Sequence, residues 1–175
     1  TALNGLGMVI ISQSLPQPQV LGMTARGMLE MVEGNWAQIM LFDPEHDELH
    51  IDQTIGVSPL DKDVVLTLAR RALLHRRPVF RSATTVAIPL RSTQQLIGVI
   101  VIGGEHALEA ADIEMLMLYA SQTAIAIESM RLLDAVRRGR DNLARVMAAV
   151  EDGLVLFGVD GTVVVANEAF HRLAR

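Results

Sequence analysis

Thr85-Val86-Ala87-Ile88-Pro89-Leu90, then Arg91 to Gln95, then Leu96-Ile97-Gly98-Val99-Ile100-Val101-Ile102, is the stretch that decides the fold. Two apolar runs rich in β-branched residues flank a short polar turn, the pattern of a β-hairpin buried on at least one face. A helix begins soon afterwards, at about Leu108 or Ala111, and meets no strong stop before Gly139. A buried hairpin feeding a long exit helix suits a module that passes conformation along a chain.

Upstream of the hairpin, Val79-Phe80-Arg81 reads as a short strand after Pro78, which stops a helix running to about Arg77. Ser58 or Asp61 is placed to cap that helix, with Val64, Val65, Leu68, Ala69, Ala72 and Leu73 inward. Trp36 to Phe42 is apolar enough for a strand. Asp43 to Asp47 forms a turn, and Glu48 to Ile55 alternates as a half-exposed strand, with Leu49, Ile51, Gln53 and Ile55 defining its faces. Two helices precede these, over Leu3–Leu15 and from about Gln19 to Glu33. The second carries Val20, Met23, Met28, Met31 and Val32 at helical spacing and ends at Gly34-Asn35.

Downstream, Ile113, Leu116, Ala120, Thr123, Ile127 and Met130 repeat at three and four residues, a coiled-coil-like seam in which Ala120, Ala124 and Ala126 permit close approach of a second helix. The phase changes near Leu133, after which Val136, Leu143, Met147 and Val150 form another stripe, with Gly139 a point of kinking or fraying. Beyond it, Asp160-Gly161 separates Leu154–Phe157 from Thr162–Val165, a strong hairpin signal, and Asn167 is a plausible cap for the helix that follows.

Composition removes whole classes of function. With no cysteine in 175 residues, disulfides, thiolate catalysis and thiolate metal sites are excluded. A net charge of −5 gives no basic footprint for nucleic acid. No apolar run approaches the ~20 residues of a membrane helix, so membrane contact by this segment is not expected, and a reduced, cytoplasmic setting is. Because the chain begins at Thr1, it is read as a fragment.

The order helix, helix, strand, strand, helix, short strand, hairpin, long helix resembles the GAF family of regulatory domains over about Leu3 to Leu133. The motifs that carry the resemblance are Ala87-Ile88-Pro89-Leu90, Leu96-Ile97-Gly98-Val99-Ile100 and Tyr119 through Glu128. The tail from Gly153-Leu154-Val155 to Ala166-Asn167-Glu168-Ala169-Phe170 is similar to the opening of a PAS domain. The resemblance implies an α+β fold, a central antiparallel sheet flanked by helices with a long C-terminal signalling helix. It implies a GAF-like sensory domain over 1–133, a linker or coiled-coil helix over 134–150, and a truncated PAS-like start over 151–175. GAF followed by PAS occurs in bacterial sensor histidine kinases, so the expected role is a sensory and dimerisation module whose catalytic output lies beyond Arg175. The competing expectation is a ligand-free dimerisation domain. His171 is followed by Arg172-Leu173 rather than a phosphoacceptor box, and the absence of cysteine excludes a covalently linked bilin. No other cofactor is named by the residues.

Candidate chemistry is sparse. His46 and His50 with Asp43, Glu45, Asp47, Glu48 and Asp52 concentrate metal-capable groups, but an acidic solvated hairpin accounts for them better, and no metal is expected. His75, amid Arg71, Arg76 and Arg77, reads as surface rather than haem ligand. Ser121 and Ser129 lack a base, and no nucleophile elbow occurs, so no catalytic residue is assigned and the fragment is read as non-enzymatic. A small-molecule pocket is expected where the Ser58–Arg77 helix covers the sheet, lined by Ile39, Leu41, Ile55, Val64, Leu68, Val79, Val86 and Ile88. Aromatic residues are only 3% of the chain, which favours a small apolar ligand, or none, over a stacked heterocycle. Arg71 and Arg81 are the nearby groups suited to an anion. The homodimer is expected along Ile113, Leu116, Ala120, Thr123, Ala124, Ile127 and Met130.

Overall fold

A computed structural model of the chain describes residues 16–93, 95–150 and 152–173. The helix expected over Leu3–Leu15 lies outside the described residues. The deciding stretch folds as the alternation requires. β4 (Thr85–Arg91) and β5 (Leu96–Gly104) pair antiparallel with Ile88 opposite Ile100. Ser92 ties the turn, its N–H donating to the Gln95 carbonyl and its Oγ accepting from the Gln95 N–H, both at 2.9 Å. β1 (Gly34–Asp43) lies on the other side of β5, β2 (Glu48–Ile55) beyond β1, and β3 (Val79–Ser82) beyond β4, giving the order β2-β1-β5-β4-β3, antiparallel throughout. β5 is the central strand and is covered on both faces, which is why it reads as an unbroken apolar run instead of alternating. Gly98 sits where a Cβ would lie 2.1 Å from the Met40 carbonyl oxygen, so the strands approach too closely there for any side chain.

The two faces hold separate cores. On one, α1 (Gln17–Met31) and the first half of α3 (Ala110–Ala149) pack Leu21, Met28, Leu116 and Ile127 onto Ile39, Ile88 and Ile100. On the other, α2 (Lys62–His75) packs Val65, Leu68, Ala69 and Ala72 onto Trp36, Met40, Ala87, Val99 and Val101. The backbone of Asp61 starts α2, its carbonyl accepting from Val64 and Val65, while its side chain makes no capping bond. Ser58 hydrogen-bonds within its own turn, to Leu60. The helix stops at His75 rather than Arg77, because Arg76 adopts the left-handed conformation (φ 53°).

Three expectations are corrected. The stripe assigned to dimerisation is an internal face. Leu116, Ala120, Thr123, Ala124 and Ile127 are at most 1% exposed, packed against α1 and the sheet of the same chain, and Ile113 packs against the same core. Helical spacing identifies an apolar face without identifying what covers it. Secondly, the pocket candidates do not share a face. Ile39, Val86 and Ile88 are fully buried on the α1/α3 side, with Leu41 and Ile55 packed against them, whereas Leu68 and Val79 lie on the α2 side. Thirdly, β2 carries an extra residue. Ile39 opposes Gln53 and Met40 opposes Ile51, leaving Asp52 as a bulge. Side chains on either side of the bulge therefore change face, so that Ile55 packs with the α1/α3 core and Leu49 with the α2 core.

Contacts divide the chain into residues 1–130 and 131–175. In the second unit, β6 (Val155–Phe157) and β7 (Val163–Ala166) pair antiparallel, and α4 (Glu168–Leu173) follows. Gly161, at φ 80°, makes the turn, and Asp160 Oδ1 accepts from both the N–H and the hydroxyl of Thr162. Those bonds hold the Asp160 carboxyl below its ordinary range. Asn167, 4% exposed, joins the elements of this unit. Its Oδ1 accepts from Leu154 N and from Phe170 N, which caps α4, and its Nδ2 donates toward the carbonyls of Met147, Val150 and Asp152 at the end of α3.

Candidate functional site

The residues of α2 that do not enter the core make the candidate site. Asp63, Thr67 and Arg71 are four residues apart and therefore share one exposed stripe, beside the half-buried Val64 and the edge of the buried Leu68. Across from them runs the edge strand β3, whose Phe80 and Arg81 complete an open cleft of about 350 Å³. The pairing explains the placement of Arg81: Phe80 opposes Val86 and Ser82 opposes Thr85, so Arg81 is the unpaired residue of an irregular strand end. Ion pairs among the described residues lie elsewhere, at Asp43–His46, Glu48–His50, Glu33–His106, Asp134–Arg137 and Arg140–Asp141. Asp63, Arg71 and Arg81 take part in none of them. Two guanidiniums and a carboxylate thus face a cleft with their charges uncommitted, and a guanidinium offers a planar fork of donors to a carboxylate or phosphate.

Of the expected pocket residues, Val64, Leu68, Arg71 and Arg81 do come together here. Val79 lies beneath, in the α2-side core. Ile39, Leu41, Ile55, Val86 and Ile88 belong to the opposite face and line none of it. Asp63, Thr67 and Phe80 were not anticipated. The i, i+4, i+8 spacing of Asp63, Thr67 and Arg71 was legible, but it pointed nowhere until the edge strand was in place.

One further group faces α2. Gln38 opposes Val101, a residue of the α2-side core, and cross-strand partners project to the same face. Its Oε1 is shielded from solvent and accepts no hydrogen bond, an arrangement that costs about 1–3 kcal/mol relative to a satisfied group.

The acidic hairpin behaves differently from a metal cradle. His46 Nδ1 lies 2.7 Å from Asp43 Oδ2 in an exposed turn, and the Glu45 N–H donates to Asp43 Oδ1. This hydrogen bond raises the His46 pKa above its ordinary value and lowers that of Asp43. His50 approaches Glu48 at 3.7 Å. Among the described residues, no three such groups converge. No helix among them is long and apolar enough to cross a membrane.

The fold stands within a known structural class. A family model for the GAF domain matches residues 17–129. A GAF domain/HD domain protein from Geobacter sulfurreducens is 14% identical, with a TM-score of 0.55 over 66% of this chain and 94% of its own. The GAF domain of a putative sensor histidine kinase from Pseudomonas syringae pv. tomato is 19% identical, with a TM-score of 0.53 over 78% and 94%. A free methionine-R-sulfoxide reductase from Neisseria meningitidis, in complex with its substrate, is 18% identical, with a TM-score of 0.57 over 72% and 87%. At these identities the likeness is one of fold, and no curated protein matches the chain. From the helix that opens the described fold to the buried half of α3, the match is continuous, and the chain belongs to the GAF domain family, typically regulatory or sensory in signalling proteins.

Proposed function

We propose that this chain is the input module of a bacterial signalling protein, a sensor histidine kinase, and that it binds a small anion in the cleft between α2 and β3. The observation that carries the reading is the pair of uncommitted guanidiniums, Arg71 and Arg81, lining that cleft from two different elements. A ligand bridging them would tie the edge strand to α2. Its binding energy would favour whichever arrangement of these elements it fits better, and α3 carries that preference toward the PAS-like segment over 151–175. The sensor kinase setting draws on the GAF–PAS order of the sequence and on the Pseudomonas syringae likeness. A cytoplasmic location, in keeping with the cysteine-free composition, and a non-catalytic role belong to the same proposal.

The test is thermal denaturation of the chain in the presence of inorganic phosphate, small mono- and dicarboxylates and nucleoside phosphates, repeated with Arg71→Ala and Arg81→Ala. A ligand at a hundred times its Kd stabilises by about 2.7 kcal/mol, an easily measured rise in melting temperature, and both variants should abolish it. Native mass spectrometry of the same samples gives the stoichiometry. If no anion stabilises the wild type, the ligand reading fails. The ligand-free assembly domain then gains ground, a reading favoured by the full burial of Ile39, Val86 and Ile88 on the α1/α3 face of the sheet.

A further inference from the structure

The cleft between α2 and β3 carries a charge pattern more selective than a site for any anion. Two guanidiniums, Arg71 and Arg81, and one carboxylate, Asp63, line it. Among the described residues none of the three has an ion-pair or side-chain hydrogen-bond partner. The positive groups come from different elements. The negative one sits in the first turn of α2, where the helix N-terminus favours its ionised form. Asp63 and Arg71, eight residues apart, are separated by about 12 Å along the helix axis, with Thr67 midway. The long arginine stem closes part of that distance, and a short-chain molecule closes the rest, which a compact ion such as phosphate does not. Between the charges the lining is apolar: Val64 and Leu68 from the helix, and Phe80, 49% exposed, from the strand.

We infer that the ligand of this cleft is an acidic amino acid, an α-amino dicarboxylate. Its two carboxylates pair with Arg71 and Arg81, and its ammonium pairs with Asp63. The inference rests on the reading of the cleft as an anion site and names the class of anion. The site presents two positive charges and one negative, and this class presents two negative and one positive, so each charge meets its opposite. Every simpler ligand leaves a group without a partner. A plain dicarboxylate satisfies the guanidiniums but sets Asp63 beside a ligand of like sign, stripped of part of its water. A neutral amino acid leaves one guanidinium idle. A nucleotide base needs a stacking surface, and Phe80 is the single aromatic lining the cleft among the described residues. Selectivity thus comes as much from the unpaired charge a wrong ligand creates as from the pairs the right one makes. The planar fork of each guanidinium suits a carboxylate bidentately, the methylenes lie on Val64 and Leu68, and the Phe80 ring attracts the ammonium.

Isothermal titration calorimetry on the complete chain, at low salt where exposed ion pairs are least screened, tests this directly. L-Glutamate and L-aspartate are compared with molecules that each lack one part. Glutarate and succinate lack the ammonium, γ-aminobutyrate and β-alanine lack a carboxylate, and inorganic phosphate lacks the chain. The tighter of the two amino acids should bind at least tenfold more tightly than its truncated forms and than phosphate. Asp63→Asn should cut the preference over the plain dicarboxylate to less than twofold, and Asp63→Glu, which keeps the charge, should preserve it. Arg71→Ala should weaken amino acid and dicarboxylate alike, at least tenfold, with the far-ultraviolet circular dichroism of every variant kept. A truncated form or phosphate that binds the wild type as tightly as the amino acid overturns the inference and leaves the anion reading standing. So does a preference that survives Asp63→Asn. Binding by none of these molecules overturns both.

Discussion

Replacing Leu116 by alanine separates the internal face of α3 from its free face. Leu116 is fully buried between α1 and the sheet, so the truncation removes the transfer free energy of the lost carbons and leaves a cavity. Leucine-to-alanine changes at such sites cost about 2.7–5 kcal/mol, and a site closed by both helix and sheet falls near 3–4. For a unit of this size, that lowers the melting temperature by about 10–15 °C and the urea midpoint by about 1–2 M. The chain carries its own reporter, since the sole tryptophan, Trp36, is 2% exposed in the first unit. Urea titrations followed by its fluorescence, at one low protein concentration, give the unfolding free energy directly. Leu118→Ala, two residues away and 62% exposed, should change that free energy by less than about 0.5 kcal/mol. A loss under about 1 kcal/mol for Leu116→Ala, or an equal loss for Leu118→Ala, would refute the assignment of the two faces.

Two other outcomes follow from polar contacts. Asn167→Ala removes donors and acceptors together, and amide hydrogen exchange at Leu154 and Phe170 should accelerate at least tenfold, whereas Asn167→Asp keeps the acceptor and protects both. Equal protection in Asn167→Ala would show that the side chain does not hold this unit together. In the Asp43–His46 pair, the raised histidine contributes stability below its unfolded pKa of about 6.5 and loses it as pH climbs through the higher folded value. The lowered carboxyl contributes above about 3.8 and loses that as pH falls through its lower folded value, so the pair is fully formed between those limits. An NMR titration should place the His46 midpoint above 6.5, and Asp43→Asn should return it toward that value; an unmoved midpoint refutes the hydrogen bond as the cause.

The sheet was largely legible because strands advertise themselves locally. The hairpin of β4 and β5, the turn at Asp43–Asp47 and the breaks at Gly56 and Pro78 all reflect backbone chemistry within a few residues. Side chains of a strand covered on both faces carry no mark of which face is which. Ile88 and Ala87 are equally apolar, yet one meets α1 and α3 and the other α2. The Asp52 bulge was invisible for a related reason, because pairing with β1 defines it. On α3, two stripes compete in one amphipathic pattern, and the more regular small-residue stripe belongs to the interior. The cleft was half legible: Arg71 and Arg81 were identifiable as suited to an anion, but their neighbours Asp63 and Thr67 depend on where the edge strand lies.

Among the described residues the sheet has two open margins, β2 and β3, and each is unsuited to growth. The outer strand β2 exposes Glu48, His50 and Asp52, and its bulge twists the row of carbonyls and amides away from a flat template. The opposite margin, β3, is four residues long and breaks register at Arg81. A neighbouring molecule therefore finds no ladder to extend, and strand-by-strand stacking of the kind that seeds fibres is discouraged at both margins. Deleting Asp52 would keep Ile51 opposite Met40 and Gln53 opposite Ile39 but in regular alternation, straightening this margin into a flatter template. The irregularity thus protects solubility at the cost of an unpaired residue.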